Sequence, residues 1–144
     1  MTDLHLPLVF LLVAGSIIVT VLVGGCLGEG PAPDDRIIRT IPPAEASALI
    51  EEMEGDPGFV VIDARRPDEF AAGYIPGAIN IDSAHFSEHL ASLDQDGTYL
   101  ICCRRGGRSA GVRELMREAG FREVYDIEGG MNAWQAAGLP VVRD

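Results

Sequence analysis

Cys103 is followed by Arg104, Arg105, Gly106, Gly107 and Arg108, which sets three arginines within five positions of a cysteine. That grouping suits nucleophilic sulfur chemistry on an anion. The thiolate is the reactive form of the side chain, and cationic neighbours or a helix amino terminus lower a thiol's pKa. Gly106 and Gly107 let the backbone take positive φ and turn its N–H groups inward as an anion nest. Cys102 stands directly before, at the end of an apolar run. Most free cysteines are buried packing residues, and Cys102 fits that bland role. Cys103 fits the reactive one.

The charge balance sharpens the contrast. All 11 basic residues are arginines, against 22 Asp and Glu, so the formal charge is −11 and the pI near 4.5. A general nucleic-acid binder needs a basic face to neutralise phosphates, and this chain is excluded from that class. The Arg-Gly run around Cys103 therefore needs another explanation. A hydrophobic share of 47% excludes a disordered chain. Three cysteines cannot form a disulfide framework, and no Cys-x-x-Cys spacing offers a zinc or iron–sulfur site. No metal and no cofactor is expected.

Much of the apolar content lies at the amino end. Leu6 to Val23 carries no charge, with Pro7 as its one breaker. An uncharged, mostly apolar stretch of 18 residues lies at the border between a signal-peptide core and a short membrane span. The flank holds Asp3 and His5 rather than Lys or Arg. The stretch closes on Val23-Gly24-Gly25-Cys26, which resembles the lipobox of prokaryotic lipoproteins. That resemblance implies cleavage before Cys26 and a diacylglycerol on its thiol. An uncleaved span and plain secretion are the other readings. Residues 1–25 are thus expected to be a signal peptide or anchor, and residues 26–35, rich in Gly, Pro and Asp, a tether. The globular part is expected over 36–144, at a prokaryotic cell membrane and on its extracytoplasmic side.

Strands and helices must position Cys103, and the pattern supplies them in alternation. Ile37–Ile41, Phe59–Ile62, Thr98–Cys102 and Val124–Ile127 read as strands, with a brief one near Ile81. Pro42-Pro43 opens a helix through about Glu54, and Pro67–Ala72 fits a short helix with Pro in its first turn. Phe86, Leu90 and Leu93 give one stripe; Val112, Leu115, Met116 and Ala119 give another, on a helix from Ser109 to Gly120. A last helix surrounds Ala133 and Trp134. Repeated β-α-β order implies an α/β fold, a parallel sheet with helices on both faces. Cys103 then falls at the carboxyl edge of a strand, where open α/β sheets bind ligands.

Three ordered patterns resemble the rhodanese-like family. Cys103-Arg-Arg-Gly106-Gly-Arg108-Ser109 is similar to the C-x-x-G-x-R-S active loop of rhodanese-type sulfurtransferases. Val61-Ile62-Asp63-Ala64-Arg65, then Glu69-Phe70 and Gly73 to Asn80, resemble the family's first half. Gly120-Phe121, Val124-Tyr125 and Gly129 to Trp134 resemble its close. The resemblance spans about 37–143 and implies a five-stranded parallel sheet. It implies Cys103 as the catalytic residue and Cys103 to Arg108 as the cradle of the substrate anion. It also implies double displacement: a thiosulfate-like donor loads a persulfide on Cys103, and a thiol acceptor unloads it. Related phosphatases and arsenate reductases of this fold tend to have a seven-residue loop, against six here. Tyr74 departs from the family, which most often has His there; this bears on substrate tuning more than on the chemistry.

Other features have bland readings. Asp63 and Arg65 either support the loop or substrate, or form an internal salt bridge. His85-x-x-Glu88-His89 matches an inverted zinc-protease pattern, but no third ligand is evident and a solvated helix face is expected. Trp134 is expected in the core. The alternative to a sulfurtransferase is a membrane-anchored sulfur-carrier, sensing or docking module with little turnover, whose protein partner the sequence does not name.

Overall fold

The computed structural model describes residues 34–143. The expected signal or anchor, Cys26 and most of the tether lie outside the described residues. Among the described residues, no helix is long and apolar enough to cross a membrane.

Five strands, β1 (Ile37–Ile41), β2 (Phe59–Asp63), β3 (Ile79–Asn80), β4 (Thr98–Cys102) and β5 (Glu123–Ile127), form one sheet. Their order is β1-β5-β4-β2-β3, and every pairing is parallel. Parallel pairing requires crossovers, which the helices supply. These are α1 (Pro43–Glu52), α2 (Pro67–Ala71), α3 (Phe86–His89), α4 (Gly107–Glu118) and α5 (Gly130–Ala136). A 3₁₀ turn, Leu90–Ser92, continues α3. Proline at the first position starts α1 and α2, because its missing N–H is one that a helix start leaves unpaired anyway.

The central strand β4 is buried along its whole length, which is why Thr98–Cys102 reads as one apolar run rather than an alternation. Its side chains still alternate between faces. Leu100 and Cys102 join one core cluster with Ile41, Ala46, Met131 and Trp134. Tyr99, Ile101 and Cys103 join the other, with Phe86, Val112, Met116 and Phe121. Trp134 is a core residue as expected, and its ring nitrogen donates to the Pro140 carbonyl at 2.8 Å. The expected five-stranded parallel sheet, covered on both faces, is the fold observed.

Most element ends fall within two residues of expectation, and the turn into α4 is the one that bears on Cys103. α4 begins at Gly107 rather than Ser109, and of the two loop glycines Gly106 is the one with positive φ, at 96°. Gly106 is the left-handed residue that turns the chain into α4, and Gly107 is already in its first turn. One inversion of the backbone, at Gly106, suffices for the turn.

Candidate active site

β4 ends at Cys102, so Cys103 is the first residue beyond the central strand, flanked by β5 and β2. The chain turns at Gly106 and enters α4, so the backbone wraps around the Cys103 side chain. The Gly106 N–H points at Sγ from 3.1 Å, and the Ser109 hydroxyl from 3.4 Å. Burial on its own pushes the thiol pKa up. Hydrogen bonds from the Ser109 hydroxyl and from the N–H groups of Ser109, Arg105 and Gly106 outweigh it, and the net shift is downward. A helix amino terminus adds partial positive charge at the same spot.

Cys102 has the opposite environment. It is fully buried, and burial first, then the nearby Asp63 charge, push its pKa well up. Two adjacent cysteines thus diverge because strand side chains alternate faces and only one face meets the loop.

A pocket of about 310 Å³ opens over Cys103, lined by Arg66, Glu69, Arg104, Arg105, Gly107 and Arg108. Four of the chain's 11 arginines and one carboxylate therefore surround the sulfur of a protein with a net charge of −11. The arginines are not equivalent. Arg108 forms a two-pronged pair with Glu69, at 2.7 and 2.9 Å, and that contact holds the Glu69 carboxyl down at about 2. Glu69 also accepts from the Arg66 N–H, so α2 and α4 are clamped together across the pocket. Arg104 and Arg105 are exposed and form no ion pair among the described residues. Arg108 is the wall of the pocket, and Arg104 and Arg105 are its free cations.

The loop is held from outside by α5. The Met131 N–H donates to the Cys103 carbonyl at 2.8 Å and the Asn132 N–H to the Arg104 carbonyl at 3.1 Å. Gly130, at φ 58°, lets α5 come this close: a Cβ there would strike the Cys103 oxygen and come within 2.9 Å of the Arg104 carbonyl carbon. The first turn of α5 is a brace for the loop.

Of the run that the sequence singled out, Cys103, Arg104, Arg105, Gly107 and Arg108 line this pocket, and Gly106 turns the chain between them. Asp63 and Arg65 are not at it. Arg65 Nη2 bonds Asp63 Oδ2 and the Gly73 carbonyl, both at 2.6 Å, in a buried internal salt bridge. Asn80 ties the same segment through the Asp63 and Arg65 carbonyls at 2.9 and 2.8 Å. Of the two roles left open for this pair, the salt bridge is the one observed. Tyr74 stacks on Phe70 and is not among the lining residues. His85 pairs with Glu88 on an exposed surface, and no metal-binding group of His, Cys, Asp or Glu occurs among the described residues. Sequence reasoning missed three contributors: Arg66, the Ser109 hydroxyl and the pairing of Glu69 with Arg108. Ser109 stood in the sequence as a helix start and as the last residue of the loop motif, with no sign of its bond to Sγ, and Glu69 lies 39 positions from its partner.

Known proteins match this arrangement. The profile of the Rhodanese-like domain family covers residues 44–137. YtwF of Bacillus subtilis (strain 168), whose name assigns it provisionally to the sulfurtransferases, is 39% identical over 94 residues; the match takes in 65% of this chain and 90% of that one. Thiosulfate sulfurtransferase GlpE of Pseudomonas putida is 34% identical over 98 residues, covering 68% and 86%. The crystal structure of a rhodanese-related protein from Thermoplasma volcanium superposes with a TM-score of 0.65 at 32% identity, covering 74% of this chain and 99% of that one. The loop at the end of the central strand, the sheet order and these relatives agree, and the chain belongs to the rhodanese-like family.

Proposed function

We propose that this chain is a membrane-anchored sulfurtransferase that moves sulfane sulfur from a small anionic donor such as thiosulfate to a thiol acceptor, through a persulfide on Cys103. The observation that carries the reading is the Cys103 sulfur, a thiol with a lowered pKa at the floor of an arginine-lined pocket. The names of the curated relatives support the same chemistry.

Arg104 and Arg105 draw the donor against the protein's overall negative field. The Cys103 thiolate attacks the donor's outer sulfur. A sulfur–sulfur bond forms to Sγ, the bond to the sulfonate breaks, and sulfite leaves with the electron pair. The Gly106 N–H and Ser109 hydroxyl stay aimed at the sulfur and stabilise its charge without reorganising. An acceptor thiolate then takes the terminal sulfur, and Cys103 departs as thiolate. No oxidant is consumed.

Incubation with thiosulfate and cyanide or a thiol tests this directly. Multiple-turnover release of sulfite, with thiocyanate formed when cyanide is present, is expected. Hydrolysis of a phosphate monoester without sulfur transfer would overturn the reading. A single stoichiometric release of sulfite, without turnover, would mark the carrier role instead.

The free cations give a second expectation. Replacing Arg104 and Arg105 together by Ala should raise the donor's KM by about tenfold at low salt, with much of the difference lost as salt screens the field. An unchanged KM would move the anion site elsewhere, with Arg108 as the next candidate.

The proposal includes the amino end: residues 1–25 as signal peptide or anchor, 26–35 as tether and 36–144 as the domain, with the domain outside the membrane of a prokaryotic cell. The residues that support it are Gly24, Gly25 and Cys26 at the close of the apolar run. Mass analysis of membrane-extracted protein should find Cys26 as a lipid-modified first residue. Met1 retained and Cys26 unmodified would leave the uncleaved span.

A further inference from the structure

Of the four arginines that line the Cys103 pocket, Arg66 is the one that does not belong to the loop. It stands at the start of α2, where its backbone N–H donates to Glu69. Its guanidinium faces two carboxylates. Nε is 3.7 Å from Glu69 Oε2, and Nε and Nη2 donate to the Asp68 carboxylate at 3.2 and 3.3 Å. Glu69 is already taken by the two-pronged contact with Arg108. The contact with Asp68 is long, and both of its side chains are more than half exposed. Such a pair is weak and exchanges readily in water. Arg108 is a fixed cation; Arg66 is held loosely, by a carboxylate that is not among the lining residues.

The pocket is also larger than the donor step requires. Its volume of about 310 Å³ reaches the lower end of the range for clefts that enclose organic ligands. An anion of the size of thiosulfate fills only part of it. Once sulfite has left, the acceptor thiol enters by the same mouth, and whatever its sulfur carries lies along the walls. Those walls are arginines and one glutamate already paired, so they offer an uncharged or apolar acceptor little to hold. The Arg66 guanidinium, across from the loop on α2, offers a planar fork of N–H donors that matches a carboxylate.

We propose that Arg66 is a specificity-determining residue for the second half of the reaction: it binds a carboxylate carried by the acceptor thiol, and Asp68 occupies it until that acceptor arrives. The inference deepens the proposed sulfur transfer and rests on it. The acceptor thiolate attacks the outer sulfur of the Cys103 persulfide; a new sulfur–sulfur bond forms, the old one breaks, and Cys103 leaves with the electron pair. Arg66 takes no part in those bonds. It selects the thiol that is held over them, and a small thiol acid is the class it fits.

Two ratios test this, both measured on the full-length protein. The first is kcat/KM for sulfur transfer to mercaptosuccinate divided by that for mercaptoethanol. The second needs no sulfur transfer: the rate at which Cys103 adds to carboxyethyl maleimide divided by that for N-ethylmaleimide, read by mass on the Cys103 peptide. Arg66→Gln should lower both ratios by about fivefold at low salt, the scale of one exposed ion pair, and salt should shrink the difference. Arg66→Lys, which keeps the charge without the fork, should recover part of the loss. Asp68→Asn should raise both ratios by about twofold, because it frees the guanidinium. In the Arg66→Gln background the same Asn substitution should lose most of its effect. A merely structural role for Arg66 would move the charged and neutral reagents alike. The N–H that Glu69 accepts belongs to the backbone, so Gln leaves that bond in place. Ratios unchanged in Arg66→Gln, or an Asp68→Asn effect that is equal without Arg66, would overturn the assignment. Absence of sulfur transfer to any thiol, with the maleimide ratios shifted as expected, would count against the proposed function and leave the carboxylate site at Arg66 standing.

Discussion

Cys103→Ser should lower sulfur transfer by more than about a thousandfold, the scale on which loss of a nucleophile is felt, while Cys102→Ser retains most of the activity. A serine hydroxyl is isosteric, but it stays protonated at neutral pH and cannot carry a sulfane sulfur. The hydrogen bonds from Gly106 and Ser109 would still form, so folding should be preserved. Cys102 touches none of this. Its side chain belongs to the opposite face of β4, with Leu100 and Trp134, and its pKa is well raised. The pH profile separates the pair further: fast alkylation with a midpoint below that of an ordinary cysteine should vanish in Cys103→Ser and persist in Cys102→Ser. Loss of activity in a well-folded Cys102→Ser would mean that the wrong cysteine has been assigned.

Gly130→Ala should destabilise the domain by on the order of 2–4 kcal/mol and take most of the activity with it. Two costs add. A side chain at φ 58° is strained for most residues. The added Cβ also meets carbonyl atoms of Cys103 and Arg104, which are backbone and cannot swing aside as a side chain would. Either the N–H groups of Met131 and Asn132 lose the two loop carbonyls, or the loop shifts under Sγ. The control is Gly138→Ala, also at positive φ but with open space at its Cβ position, so that it carries the strain without the collision. It should cost about 1 kcal/mol and leave kcat unchanged. Equal effects of the two substitutions on stability and activity would show that α5 does not brace the loop.

What the sequence disclosed divides along physical lines. β4 was legible because a continuous run of β-formers bounded by turn residues has few other fates, and Val112 and Met116 repeat at helical spacing on the buried face of α4, although Leu115, read into the same stripe, is exposed. Cys103 was legible because its helpers follow it immediately in the chain. Contacts made by chain crossing were not legible. Nothing local says that Glu69 will occupy Arg108, so all three loop arginines read as equally free. Nothing local says that Gly130 will lie against the Cys103 carbonyl, because that closeness arises only when α5 docks on the loop. Either glycine of the loop permitted positive φ, and only the start of α4 at Gly107 shows that Gly106 is the one that takes it. Asp126 looked like an ordinary strand residue until burial left its Oδ1 without a hydrogen-bond partner.

The central claim is that sulfur passes through Cys103. The direct measurement is the mass of the Cys103 peptide after the full-length protein meets thiosulfate with no acceptor present. The account predicts a gain of one sulfur atom on that cysteine, one equivalent of sulfite released, and return to the original mass when cyanide or a thiol is added. An unmodified Cys103 in protein that nevertheless turns over, or a sulfur carried on Cys102, would contradict it.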